Sequence, residues 1–137
     1  MPKPCPCTSG RPYAACCRPL HRGEREAETP EALMRSRFAA FSLGDAEYLW
    51  RTLHPDHEDR AGGQVAVVAA IKAAARSLRF MRLTILEATG DHVTFRAAVF
   101  EKGQDRSFTE RSTFARDEGG WRYLSGEVLE GRGDLVG

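Results

Sequence analysis

The sequence predicts an α+β fold: three helices packed on a four-strand antiparallel sheet, preceded by a small cysteine lobe. Three observations predict it. Apolar residues keep helical spacing between residues 29 and 78, the period drops to two from Arg79 onward, and all four cysteines lie within the first seventeen of 137 residues. A chain of this length buries one core and is too short for two full ones.

Thr29-Pro30-Glu31 supplies an N-cap, a proline for the first helical position and an acid for the first turn, so a helix is predicted to start there. Leu33, Met34, Phe38 and Phe41 give it an apolar stripe, and Gly44 a stop. Asp45 caps a second helix through Tyr48, Leu49, Trp50 and Leu53, ended by His54-Pro55. After the Gly62-Gly63 break, Gln64 to Leu78 reads as a third, with Val67, Val68, Ile71 and Leu78 inward. Met81, Leu83 and Ile85 then alternate with polar residues, as do Val93, Phe95, Ala97 and Val99 after Gly90-Asp91. Lys102 to Asp105 reads as a turn into a strand with Phe108, Glu110, Ser112 and Phe114 on one face. Asp117 to Gly120 turns into Trp121, Tyr123 and Ser125.

Twenty basic against nineteen acidic residues leave a net charge of +1, without the basic excess of a nucleic-acid-binding domain. Nucleic acid is therefore disfavoured as a partner. No apolar run approaches the roughly 18 residues that cross a bilayer, and the start MPKPCPCTSG has no apolar stretch for secretion, so a cytoplasmic protein is expected.

Cys5, Cys7, Cys16 and Cys17 are spaced too closely within each pair for ordinary disulfides, and a reducing cytosol opposes cross-pairing. Metal is the leading reading. The lobe has only Tyr13 and Leu20 as large interior side chains, with Met1 at its end, and Pro2, Pro4, Pro6 and Pro12 oppose regular helix, so its shape needs a staple. Zn2+ takes four thiolates in a tetrahedron, and a turn at Ser9-Gly10 would bring Cys16 and Cys17 back onto Cys5 and Cys7. The Cys-x-Cys-x8-Cys-Cys spacing departs from the usual zinc-finger gap of two to four residues. His21 reads as an exposed linker histidine rather than a ligand, and Arg22 to Glu28 as the linker. The expected division is residues 1–27 as metal lobe and linker, 28–131 as the α+β domain and 132–137 as a flexible tail. Because residues 29–130 carry their own caps, apolar periodicity and turns, they are expected to survive loss of the metal.

CPCTSGRPYAACC resembles the SEC-C motif, found at the carboxyl end of the SecA translocation ATPase and as a small zinc module in other bacterial proteins. The spacing agrees at every ligand, with Cys17 in the position that is cysteine or histidine in that family. TPEALMRSRFAAFSLGDAEYLWRTLHP and TERSTFARDEGGWRYLSGE resemble the YchJ family, which joins a SEC-C module to a cone-shaped domain similar to nuclear transport factor 2 and ketosteroid isomerase. The resemblance implies a structural zinc, protein contacts through the knuckle as in SecA, and a pocket for a small apolar molecule. Dimers are common among similar folds, so a homodimer is among the assemblies it implies.

A second constellation comes from the faces of the elements. Arg37 shares the helix stripe of Leu33, Phe38 and Phe41, while Glu110 points the same way as Phe108 and Phe114, so opposite charges face one apolar interior. The preferred reading is a buried ion pair fixing helix against sheet. In the functional reading Glu110, with Tyr48, His54, Trp121 and Tyr123, lines a pocket where desolvation would make it an acid/base. His57-Glu58-Asp59 reads as a solvated loop, and Arg132-Gly133-Asp134 as an accidental tripeptide in a frayed tail.

No nucleophile with its base, phosphate-binding glycine loop or open catalytic metal site is evident, so binding ranks above catalysis. The leading function is an adaptor using the basic knuckle to contact an acidic, ribosomal or translocation-related protein. The alternative is a small-molecule binder or enzyme using the domain pocket.

Overall fold

In the computed structural model, which describes residues 3–131, four helices cover one face of an antiparallel sheet. The helices are α1 (Arg18–His21), α2 (Pro30–Leu43), α3 (Ala46–Arg51) and α4 (Gln64–Ser77). The last three are those the periodicity predicts. Thr29 accepts the Ala32 N–H at 3.1 Å and starts α2, and Gly44, with φ of 74°, ends it in the left-handed region where glycine carries no Cβ penalty. Asp45 caps α3 by accepting the Tyr48 N–H at 3.1 Å. The one-turn α1, directly after Cys17, has no sequence signal beyond Pro19.

The strands are β1 (Arg79–Thr89), β2 (His92–Glu101), β3 (Gln104–Asp105), β4 (Phe108–Asp117) and β5 (Gly120–Gly131). The sheet runs β1-β2-β4-β5, and β3 pairs with the end of β2, so Gln104 and Asp105 form ladder pairs with Glu101 and Phe100 rather than only a turn. Leu33, Phe38 and Phe41 of α2, Leu49 and Leu53, Val67 and Ile71 of α4, and the inward residues of β2, β4 and β5 make one buried core.

Met81 is a correction. A bulge between Phe80 and Arg82 reverses the alternation in β1, turning Phe80 inward onto Phe38 and Phe41 and leaving Met81 54% exposed. The stretch 22–28 is also no free linker: Ala27 is buried, and Glu26 pairs with Arg122 of β5 at 2.9 Å. The tail 132–137, with its Arg132-Gly133-Asp134, lies outside the described residues.

Candidate functional site

Residues 3–17 fold as a small hairpin. Cys5 N–H donates to Arg11 O and Tyr13 N–H to Lys3 O, both at 2.9 Å, with Pro4 bridged to Pro12. The reversal falls at Thr8, Ser9 and Gly10, where Thr8 and Gly10 have φ of 63° and 90°. A single 3-10 turn at Tyr13–Ala15 then delivers Cys16 and Cys17 against Cys5 and Cys7. The four Sγ atoms lie within 4.8 Å of one another. Cys5, Cys7 and Cys17 are buried and Cys16 is half-buried, with the Ser9 hydroxyl 3.3 Å from its sulfur.

Crowding makes these thiols unequal. Hydrogen bonds from Cys17 and Cys5 hold the Cys7 thiol far below its usual range, while the Cys5 and Cys7 sulfurs and burial push Cys17 far above its own. Four convergent sulfurs, mostly shielded from water, are a donor set that can hold a metal ion.

The knuckle is sewn to the domain. Thr8 Oγ1 accepts the Leu83 N–H at 3.0 Å and donates to Leu83 O at 3.2 Å, tying the cysteine loop to edge strand β1. Arg35 donates to Cys7 O, and Ala39 of α2 is buried in one cluster with Cys5, Cys7 and Cys17. His21 is no exposed linker residue. Its Nε2–H donates to Ser36 O at 2.8 Å, which leaves Nδ1 to accept from the Tyr13 hydroxyl at 2.7 Å. Both ring nitrogens are committed, so His21 offers no lone pair to a metal, and burial pushes its pKa down.

Arg37 is 1% exposed, as the helix stripe requires, but the ion pair with Glu110 does not form. Arg37 Nη1 donates to Leu49 O at 3.0 Å and Thr52 Oγ1 at 2.7 Å, and the guanidinium lies 5.0 Å from the Tyr123 ring centre. The C-terminal end of α3 offers acceptors at closer reach than the sheet does, which redirects the guanidinium. Glu110 Oε2 instead accepts from the Ser112 and Tyr123 hydroxyls, each at 2.7 Å. Burial pushes Arg37 down to about 10, still cationic at neutral pH.

Of the expected pocket residues, Arg37, Glu110 and Tyr123 line one cavity of about 40 Å³ with Met34, Phe38, Phe41, Phe80, Phe95, Ala97 and Phe108. Tyr48, His54 and Trp121 do not. The Tyr48 hydroxyl reaches Ser36 Oγ at 2.6 Å, His54 Nδ1 caps its own turn by accepting the Asp56 N–H, and Trp121 packs under the Arg116 guanidinium. His57, expected in a solvated loop, is buried against Tyr123 with ring centres 5.3 Å apart. Gly126 leaves the space in which Glu110 and Tyr123 meet, since a Cβ there would clash with both. Gly126→Ala is therefore expected to displace this contact and destabilise the fold by about 1–3 kcal/mol, read as a lowered denaturation midpoint.

Residues 29–126 match the family model described as the YchJ middle domain, similar to nuclear transport factor 2, and residues 1–19 match the SEC-C motif. The chain belongs to the YchJ family. It is 48% identical over 123 residues to a UPF0225 protein of Deinococcus radiodurans, covering 89% of this chain and 87% of that protein. Among solved structures it is similar to a SEC-C motif protein of Rhodopseudomonas palustris, with 34% identity and a TM-score of 0.78, covering 93% of this chain and all of that one. A SEC-C motif protein of Psychrobacter arcticus, 23% identical, shares the fold with a TM-score of 0.70 over 96% of this chain and 85% of that one. In this YchJ-family chain the sequence reading missed Thr52, His57 and the backbone of Leu49 as neighbours of Arg37 and Tyr123. Ser112 was visible as a polar residue on the inner face of β4, two residues from Glu110.

Proposed function

We propose that the protein is a binding or adaptor module in which Cys5, Cys7, Cys16 and Cys17 hold one structural zinc ion and the knuckle around it contacts another protein. The observation that carries the reading is the convergence of four sulfurs within 4.8 Å, because four protein thiolates leave no coordination position for water or substrate. In this reading residues 1–27 are the contact lobe and 28–131 the scaffold that orients it. Over residues 1–25, Lys3, Arg11, Arg18, Arg22 and Arg25 outnumber Glu24, and zinc with four thiolates leaves a charge of about +2, which Glu26 lowers to about +1 over the whole lobe. That balance suits an acidic protein of the cytoplasm, ribosomal or translocation-related as the SEC-C likeness suggests, bound more weakly as salt rises.

The enzyme reading, with Glu110 as acid/base, has less support. A cavity of about 40 Å³ is far below the roughly 300–1,000 Å³ of metabolite pockets, and no nucleophile with a base lines it. Elemental analysis after gentle purification is expected to find one zinc per chain, and co-purification from the native cell should lose its partner when Cys5 and Cys7 become serine. Metal-free protein carrying four titratable thiols would sink the proposal.

A further inference from the structure

We infer that Cys16 is an oxidation site: a hydroperoxide entering the cleft beside the knuckle converts its sulfur to a sulfenic acid, Cys7 closes a disulfide onto it, and the zinc ion is released. The inference rests on the zinc reading of the knuckle and goes beyond it to how that site is switched. It starts from the unequal exposure of the four sulfurs. Cys5, Cys7 and Cys17 are buried, and Cys16 is half-buried. Cys16 also lines an open cleft of about 520 Å³ between the hairpin and the start of α2, whose walls include Ser9, Arg11, Arg25 and Arg35. That is roomy enough for a molecule barely larger than water. A thiol that ligates a metal is already deprotonated, so accessibility decides which of the four is oxidised first.

The second observation is where the resolving sulfur lies. Cys7 Sγ is 3.6 Å from Cys16 Sγ, and Cys17 Sγ is 3.8 Å from it. Cys17 is the next residue in the chain, and neighbouring Cα atoms stand about 3.8 Å apart, below the roughly 4.4–6.8 Å that disulfides span. Cys7 lies across the hairpin, where the reversal at Thr8 and Gly10 brings the chain back, so it is the partner the geometry allows.

In the first step the Cys16 thiolate bonds one peroxide oxygen, the O–O bond breaks, and hydroxide leaves. In the second the Cys7 thiolate attacks the Cys16 sulfur, the S–O bond breaks, and a second hydroxide leaves. Two thiolates lose two electrons and one peroxide gains them. Cys5 and Cys17 alone cannot close a tetrahedral zinc site. Arg35 donates to Cys7 O and Thr8 holds Leu83, so the change falls at the joint between knuckle and domain, and the contact surface of the knuckle is lost with it.

The probe is hydrogen peroxide on the full chain, with zinc content read first. Metal-free protein would remove the knuckle reading and this inference together. With zinc bound, peroxide is expected to release it to a chromogenic chelator and to lower the titratable thiols from four to two. In a parallel sample, dimedone should leave its adduct on Cys16. Proteolytic cleavage after Tyr13 separates Cys5 and Cys7 from Cys16 and Cys17, so a linkage that survives the cut crosses the hairpin, and fragmentation should assign it to Cys7. Cys16→His keeps a fourth donor but puts no oxidisable sulfur at the cleft, and should slow peroxide-driven zinc release by about tenfold or more. The adduct and the linkage are read on the native chain, so they decide the matter where the variant fails to load. Zinc retained by the native chain after excess peroxide would overturn the inference and leave the knuckle reading standing. So would dimedone on Cys5 or Cys17 in place of Cys16.

Discussion

Removing the ion proposed for the four cysteines, or replacing Cys17 by serine, is expected to lower the melting midpoint of the whole chain by roughly 10 °C or more, through loss of about 3–5 kcal/mol in one cooperative transition. The caps and periodicity of residues 29–130 favour the opposite result, a domain that melts unchanged while the lobe alone unfolds. Packing decides between them. Cys5, Cys7 and Cys17 share a buried cluster with Ala39 in the middle of α2, and Leu20 of α1 belongs to the main core. Thr8 holds both backbone groups of Leu83, and Tyr13, His21 and Ser36 continue the connection from the cysteine loop into α2. When the sulfurs lose their cation these contacts have no fixed partner, and α2 and β1 lose buried surface together. Trp50 and Trp121 lie outside the knuckle, so their fluorescence reports the domain alone. An unchanged tryptophan transition after complete removal of the proposed ion would show that the lobe is separable.

The parts of the molecule that local chemistry determines were readable in advance, and those set by a competing partner were not. Thr29, Asp45 and Gly44 act within four residues of their own positions, so the bounds of α2 and the start of α3 follow from sequence. The cysteine cluster was legible because its spacing leaves so few foldings. Met81 failed because a bulge is an extra residue in one strand, which alternation cannot reveal. His21 and Glu26 failed because their partners, Ser36 and Arg122, stand 15 and 96 residues away. Arg37 and Glu110 are the instructive case. Both faces were read correctly, but a shared interior is not a contact, and α3 supplied nearer acceptors for the guanidinium.

That difference makes the expected cost of substitutions asymmetric. Arg37→Ala should destabilise the fold by about 3–5 kcal/mol, because it removes a large side chain with almost no exposure and leaves Leu49 O without its donor. Arg37→Met, which restores most of the volume and also avoids desolvating a charge, should cost less, about 1–2 kcal/mol. Glu110→Gln should cost about 1 kcal/mol or less, since an amide oxygen still accepts from the Ser112 and Tyr123 hydroxyls. A direct buried ion pair demands the reverse for Glu110. Its neutralisation would strand the guanidinium and cost about 3–5 kcal/mol, and the pair would show strong coupling in a double-mutant cycle. Urea denaturation of Arg37→Met, Glu110→Gln and the double variant measures that coupling. Under about 1 kcal/mol agrees with two separately satisfied groups facing one cavity, whereas several kcal/mol would mean that the guanidinium turns to the carboxylate in solution.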